Sequence, residues 1–143
     1  MIHQEKPEGF NPRFEVVSCF MEENGRILLL HRQDHKPEGN SWGVPAGKVD
    51  ESESVGEAML RELFQETGYQ AREDELQYIQ KVYVKYPTFD FIYHIYHLPL
   101  SQKTAITLAS SEHKNYEWTT PAEALQKNLI RDLDACIKLF YKL

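Results

Sequence analysis

The chain has few cysteines and no long uninterrupted apolar segment. Cys19 and Cys136 lie far apart, each within an apolar run, so we expect two buried free thiols in a reducing compartment. No window approaches the roughly 20 apolar residues that a membrane-spanning helix needs, and the amino-terminal segment has no apolar centre of the kind found in a secretory signal. These absences predict a soluble cytoplasmic protein without a disulfide.

Basic side chains are also in deficit. The 16 lysines and arginines are outnumbered by 22 aspartates and glutamates, which gives a formal net charge of -6. Because this charge opposes long-range attraction to polyanions, we expect neither nucleic acid nor a membrane surface as a partner. An anionic substrate would need a local device, such as a metal ion, to offset the charge.

The residues that are present indicate one globular domain. The chain has 143 residues, of which 41% are apolar. A domain commonly has roughly 150 residues, so this length corresponds to one domain. Neither a repeat nor a linker of biased composition interrupts it. We therefore expect one domain over residues 1–143.

Apolar segments predict a mixed sheet between helices. The predicted strands cover residues 14–21, 27–30, 76–86, 89–98 and 116–119, with a turn at Asn24–Gly25 between the first two. The segment 89–98 is apolar or aromatic at both odd and even positions, which indicates either a strand covered on both faces or one that lines a ligand cleft. One helix follows Ser54, and an amphipathic helix at 130–140 closes the chain. This order is typical of an α/β fold.

The first predicted helix carries two carboxylates on one face. Ser54 and Glu57 form a capping-box pattern at its start, and Gly68 is placed as a cap at its end. Glu62 and Glu66 are four residues apart and project from the same side. Such a pair is most often a solvated acidic surface, and the alternative is a site for a hard divalent cation such as Mg²⁺.

The residues around this helix favour the cation site. Gly47, Glu53 and the segment Arg61–Tyr69 follow one another at fixed spacings. The stretch 47–69 resembles the Nudix box, the signature motif of the Nudix (MutT-like) hydrolases. The resemblance implies an α/β/α sandwich with a mixed β-sheet for the whole chain. Gln65 is a departure, because the family pattern has glutamate there, and the site loses one negative charge.

The resemblance also implies a cofactor and an activity. Glu62, Glu66 and the Gly47 carbonyl would hold Mg²⁺ or Mn²⁺, with Gln65 as a weaker ligand. Family members hydrolyse a nucleoside diphosphate linked to another moiety by attack of water on phosphorus. The implied substrate is a small molecule: a nucleoside triphosphate, a nucleotide sugar or a dinucleoside polyphosphate.

Three further residues receive roles from the resemblance. Arg61 and Glu53 would orient the helix and the loop before it. Glu112 is a candidate for the base that takes the proton of the attacking water, because its position before Trp118 resembles that of a loop glutamate in the family prototype. The alternative for Glu112 is a solvated loop acid beside His113.

Histidines and aromatic residues after the box allow more than one interpretation. His94 and His97 are three residues apart on a predicted strand and point to opposite faces, so we do not expect them to share a metal ion. The aromatic residues belong either to the core of a central sheet or to a stacking surface for a base. They are Tyr83, Tyr86, Phe89, Phe91, Tyr93 and Tyr96.

Other functions compete with that of a hydrolase. A non-catalytic nucleotide-binding Nudix module would explain Gln65 as a mark of lost chemistry. A Nudix-type transcriptional regulator would need a basic DNA-binding extension, for which an acidic chain of this length has no room. An isomerase of isopentenyl diphosphate would need a cysteine near the box, and the sequence has none there. The oligomeric state stays open, with a homodimer as one option.

Overall fold

A computed structural model describes residues 1–102 and 104–143. Within this part of the chain, the strands are β1 (Ile2–His3), β2 (Pro12–Glu23), β3 (Arg26–Arg32), β4 (Trp42–Gly43), β5 (Ala46–Lys48), β6 (Gln77–Lys85), β7 (Asp90–Leu100) and β8 (His113–Thr119). The α-helices are α1 (Val55–Thr67), α2 (Pro121–Ala124) and α3 (Leu133–Tyr141), and a short 3₁₀ turn covers Glu73–Glu75.

The strands form one mixed sheet. Its order is β1-β6-β7-β2-β3-β4, with β5 paired to β2 and β8 paired to β3. Strands β2 and β7 run parallel along almost their whole length, whereas β6 with β7, β2 with β5 and β3 with β8 are antiparallel. The predicted mixed sheet is therefore confirmed.

Both faces of the sheet are covered by helix. On one face, Phe20 and Ile95 belong to the same buried cluster as Ile137 of α3. On the other, Met21 belongs to a buried cluster with Met59 of α1. Since successive residues of a strand point to opposite faces, this burial explains why the central strands are apolar at odd and even positions alike. The arrangement is the predicted α/β/α sandwich.

Local signals located the hairpin and the first helix correctly. Asn24 and Gly25 both have positive φ, at 51° and 74°, which a two-residue hairpin turn of this kind requires. Helix α1 begins after Ser54, whose Oγ accepts a hydrogen bond from the Glu57 backbone N–H at 3.1 Å. It ends at Gly68, in the left-handed region with φ of 76°.

Elements that depend on distant pairing were predicted less well. The predicted strands omit residues 46–48, where the sequence indicates the start of a loop at Gly47. That interpretation is wrong, because Ala46–Lys48 is strand β5 and Gly47 lies opposite Val17 of β2. Strand β8 begins at His113, three residues before the predicted start, because its pairing with β3 extends to Arg32. Both corrections concern residues beside the carboxylates of α1.

Two expectations from composition can also be compared with the structure. Cys19 and Cys136 are buried free thiols. In residues 1–102 and 104–143, no helix is long and apolar enough to cross a membrane.

Candidate active site

The site forms where the carboxyl-terminal half of α1 faces β5. Glu66 is 6% exposed, and its Oε1 accepts a hydrogen bond from the backbone N–H of Ala46 at 2.8 Å. Burial raises the pKa of Glu66 well above its ordinary value of 4.5, and the nearby charges of Glu62 and Glu112 raise it further. A carboxylate in such a position is electrostatically unfavourable unless a cation joins it.

Glu62 lies against the backbone of β5 at Gly47. A Cβ atom at Gly47 would overlap the carboxylate of Glu62, so only glycine allows this close approach. The Glu62 Oε1 atom accepts a hydrogen bond from Arg61 Nη1 at 2.7 Å. Partial burial raises the pKa of Glu62, and Arg61 opposes the shift.

Arg61 connects the helix to the preceding loop. Its Nε and Nη2 atoms donate to the two carboxylate oxygens of Glu53 at 3.0 and 2.6 Å, which is a bidentate pair. Nη2 also donates to the carbonyl of Lys48 at 3.0 Å. The exposed Gln65 accepts from Arg61 Nη1 at 3.2 Å, so its amide oxygen faces the guanidinium. Arg61 thus holds β5, the loop and α1 in one arrangement.

The start of β8 brings two more groups to Glu66. One ligand atom each of Glu66, Glu112 and His113 lies within 4.8 Å of the others. The Glu112 carboxylate is 44% exposed and lies 3.7 Å from the Lys36 ammonium. His113 is 4% exposed, and burial together with the charge of Arg32 lowers its pKa. Two carboxylates and an imidazole therefore lie close enough together to share one ion.

These side chains fit a divalent cation. Carboxylate oxygens converge at a largely buried position, and they match the oxygen ligands that Mg²⁺ and Mn²⁺ accept. The structure brings Glu66, Glu62 and Glu112 into one neighbourhood, with the Gly47 backbone against Glu62. Sequence reasoning missed His113 as a member of the cluster, and its position next to Glu112 was the available signal.

A cavity of about 250 Å³ is lined in part by residues of α3 and by Ala46 of β5. Its aromatic walls are Phe14, Tyr86, Phe89, Phe91 and Tyr93. Ala46, whose N–H binds Glu66, also lines this cavity, so β5 borders both the cavity and the carboxylate cluster.

Some of the aromatic residues after the box lie where a base could stack, and others belong to the core. Tyr86, Phe89, Phe91 and Tyr93 line the cavity, with the Arg131 guanidinium 4.5 Å from the centre of the Tyr86 ring. By contrast, Tyr83 packs edge-on against Phe10 and Tyr96 belongs to the core cluster on the α1 side.

Comparison with known proteins identifies the family. Residues 12–140 match the family model of the NUDIX domain. The chain belongs to the Nudix family. It is 33% identical over 112 residues to the CTP pyrophosphohydrolase of Escherichia coli (strain K12), covering 78% of this chain and 79% of that protein. It is also 33% identical over 79 residues to an RNA pyrophosphohydrolase of Actinobacillus succinogenes, but that match spans only 37% of the longer protein.

Solved Nudix structures have the same fold. The solution structure of the Escherichia coli ORF135 protein superposes with a TM-score of 0.77 at 28% identity, over 96% of this chain and 95% of that one. A MutT protein from Methanosarcina mazei Go1 superposes with a TM-score of 0.79 at 23% identity, over 92% of this chain and 94% of that one. The predicted family, fold class and enzyme class, a Nudix pyrophosphohydrolase, are confirmed.

Proposed function

We propose that this Nudix protein is a Mg²⁺- or Mn²⁺-dependent pyrophosphohydrolase that cleaves a nucleoside diphosphate linked to another moiety. The observation that carries the proposal is the buried carboxylate of Glu66, which shares its surroundings with Glu62 and Glu112. Buried like charges of this kind are favourable when a cation lies between them. The protein has a net charge of -6, and that cation would supply local positive charge where an anionic substrate binds.

The aromatic cavity supports a nucleotide as the substrate. Flat rings such as Phe89 and Phe91 offer faces on which a base can stack, and Ala46, which lines the same cavity, binds Glu66 through its N–H. The Escherichia coli relative, which the chain matches over most of its length, is named for CTP. We therefore propose nucleoside triphosphates as the preferred substrates, with CTP as the first candidate. Nucleotide sugars and dinucleoside polyphosphates are the next candidates.

Each site residue has a part in the proposed reaction. Glu66 and Glu62 would hold the metal ion with the Gly47 carbonyl, and Gln65 would add only a neutral amide oxygen. When bound, the ion would neutralise the diphosphate and lower the pKa of the attacking water.

The remaining residues position the site and accept the proton. Arg61 and Glu53 hold the loop and α1 in place through their bidentate pair. Glu112 is near Glu66 but still 44% exposed, so it can reach a water molecule and accept its proton.

The test is a substrate panel combined with Glu66→Gln. Nucleoside triphosphates, nucleotide sugars, ADP-ribose and dinucleoside polyphosphates are assayed with Mg²⁺ and with Mn²⁺. We expect Glu66→Gln to abolish turnover while the circular dichroism spectrum stays unchanged, because an amide still accepts the hydrogen bond from Ala46. Glu73→Gln, at an exposed glutamate, is the matched control and keeps full activity.

Two outcomes would contradict the proposal. Unchanged turnover in Glu66→Gln would show that Glu66 does not hold the metal ion. Tight binding of a nucleoside diphosphate compound without cleavage of any panel member, in excess Mg²⁺ and Mn²⁺, would favour the non-catalytic binding module.

A further inference from the structure

His113 is a buried imidazole at the edge of the carboxylate cluster. It is the first residue of β8 and only 4% exposed. Among the described residues, its Nδ1 atom is buried and has no hydrogen-bond partner. A ring nitrogen of His113 lies within 4.8 Å of carboxylate oxygens of Glu66 and Glu112. A buried polar nitrogen without a partner is rare in folded proteins and requires an explanation.

Two carboxylates, those of Glu66 and Glu112, lie close to the ring of His113, with the cations of Arg32 and Lys36 in the same neighbourhood. No hydrogen bond joins its ring to Glu66 or Glu112 anywhere in residues 1–102 or 104–143. Arg32 donates its Nε to the carbonyl of Pro37 at 2.8 Å, and the Lys36 ammonium lies 3.7 Å from the Glu112 carboxylate. Lone pairs of a neutral imidazole and of two carboxylates repel one another unless a cation accepts them, and imidazole is a common ligand of transition metals.

We propose that His113 is a metal ligand, so that this site binds a first-row transition cation such as Mn²⁺ or Co²⁺ in preference to Mg²⁺. The proposal rests on the proposed metal site and adds to it a nitrogen ligand and a metal preference. Mg²⁺ selects oxygen ligands, whereas an imidazole nitrogen strengthens the binding of later divalent metals. Gln65, whose amide oxygen faces Arg61, has no carboxylate to add to a set of oxygen ligands, unlike the glutamate of the family pattern.

The first measurement needs no variant. Pulsed electron paramagnetic resonance of Mn²⁺ bound to the nucleotide-free wild-type protein should show coupling to a directly bonded ¹⁴N nucleus. In His113→Asn, which replaces the imidazole by an amide of similar reach, that coupling should disappear. His97→Asn is the matched control, because His97 lies on β7 beside Gln77 and Glu22, and it should leave the coupling unchanged.

The second measurement is the ratio of affinities. Calorimetric titration with Co²⁺ and with Mg²⁺ should show a preference for Co²⁺ that falls at least about 10-fold in His113→Asn, which is the scale on which changes around a metal ligand act. The preference should be unchanged in His97→Asn.

Clear results would overturn the proposal. It is wrong if wild-type Mn²⁺ shows no bonded ¹⁴N, or if folded His113→Asn keeps the wild-type preference. Should His113→Asn fail to fold, as judged by thermal unfolding, the wild-type resonance spectrum decides alone. A protein that binds Mn²⁺ through nitrogen but cleaves no panel substrate would contradict the proposed function and not this ligand.

Discussion

At Gly47 the backbone of β5 closely approaches the carboxylate of Glu62. The hydrogen that Gly47 has in place of a side chain lets this carboxylate lie directly against β5. An added methyl group would meet the far end of a flexible side chain, which can move aside. The expected cost therefore falls on the position of Glu62 more than on the fold.

Gly47→Ala should consequently separate activity from stability. We expect kcat/KM to fall about 100-fold, since a displacement of about 1 Å at a reacting centre has effects of that size. The urea midpoint should change little. Steady-state kinetics and urea denaturation of the same preparation test both statements, and wild-type kinetics in Gly47→Ala would contradict the close contact.

Residues of the site differ in how far the sequence could predict them. Gly47, Glu62 and Glu66 belong to one short stretch, and helical spacing alone puts the two glutamates on one face. His113 is far from them along the chain and reaches Glu66 only because β8 pairs with β3. No local pattern encodes such a pairing, and the position of His113 next to the candidate base Glu112 was the one signal in the sequence that pointed to it.

At the scale of elements, Arg61 of α1 connects the helix to β5 and to the loop between them. Helix α1 was predicted well because its caps are local, and β5 was missed because three residues carry no periodicity. The pair of Arg61 and Glu53 joins α1 to the loop between the two elements, and Arg61 also donates to the Lys48 carbonyl of β5. The hydrogen bond from Arg61, and then one from the Asp50 backbone, lower the pKa of Glu53 below its ordinary value of 4.5.

This lowered pKa predicts a dependence of stability on pH. A carboxyl group with a lowered pKa in the folded state contributes its full stabilisation above about pH 4.5, and the contribution is lost as the pH falls through the lowered value. Urea denaturation should show wild type more stable than Glu53→Gln at pH 7, with a smaller difference below pH 4.5. Exposed Glu51→Gln is the control. A difference independent of pH would show that the charge of Glu53 does not matter.

At the scale of the whole molecule, the fold class followed from the family motif but the strand order did not. The parallel pairing of β2 with β7 joins residues more than 70 positions apart, such as Val17 and His94, and no spacing in the sequence specifies it. This sheet holds α1 in place, with Glu66 facing β5. The metal-free protein therefore keeps a buried carboxylate beside two others.

Removal of that charge should stabilise the metal-free protein. In the presence of a chelator, Glu66→Gln should unfold at a higher temperature than wild type, with a gain on the order of 1 kcal/mol, because it removes a buried unpaired charge. Added Mn²⁺ should raise the unfolding temperature of wild type and have little effect on the variant. Glu73→Gln should follow wild type throughout. A lower unfolding temperature for metal-free Glu66→Gln would contradict the unfavourable charge.

Strand β5 has one further consequence through Ala46. This residue borders the aromatic cavity and also binds Glu66 through its N–H. In the proposed function, the base occupies the cavity and the reacting phosphorus lies at the carboxylates, so a single residue of backbone separates the two ends of the substrate. The main chain of β5 would then fix the distance between the base and the scissile bond in the substrates that the enzyme accepts. Because main chain in a sheet moves less than side chains do, this distance would vary little.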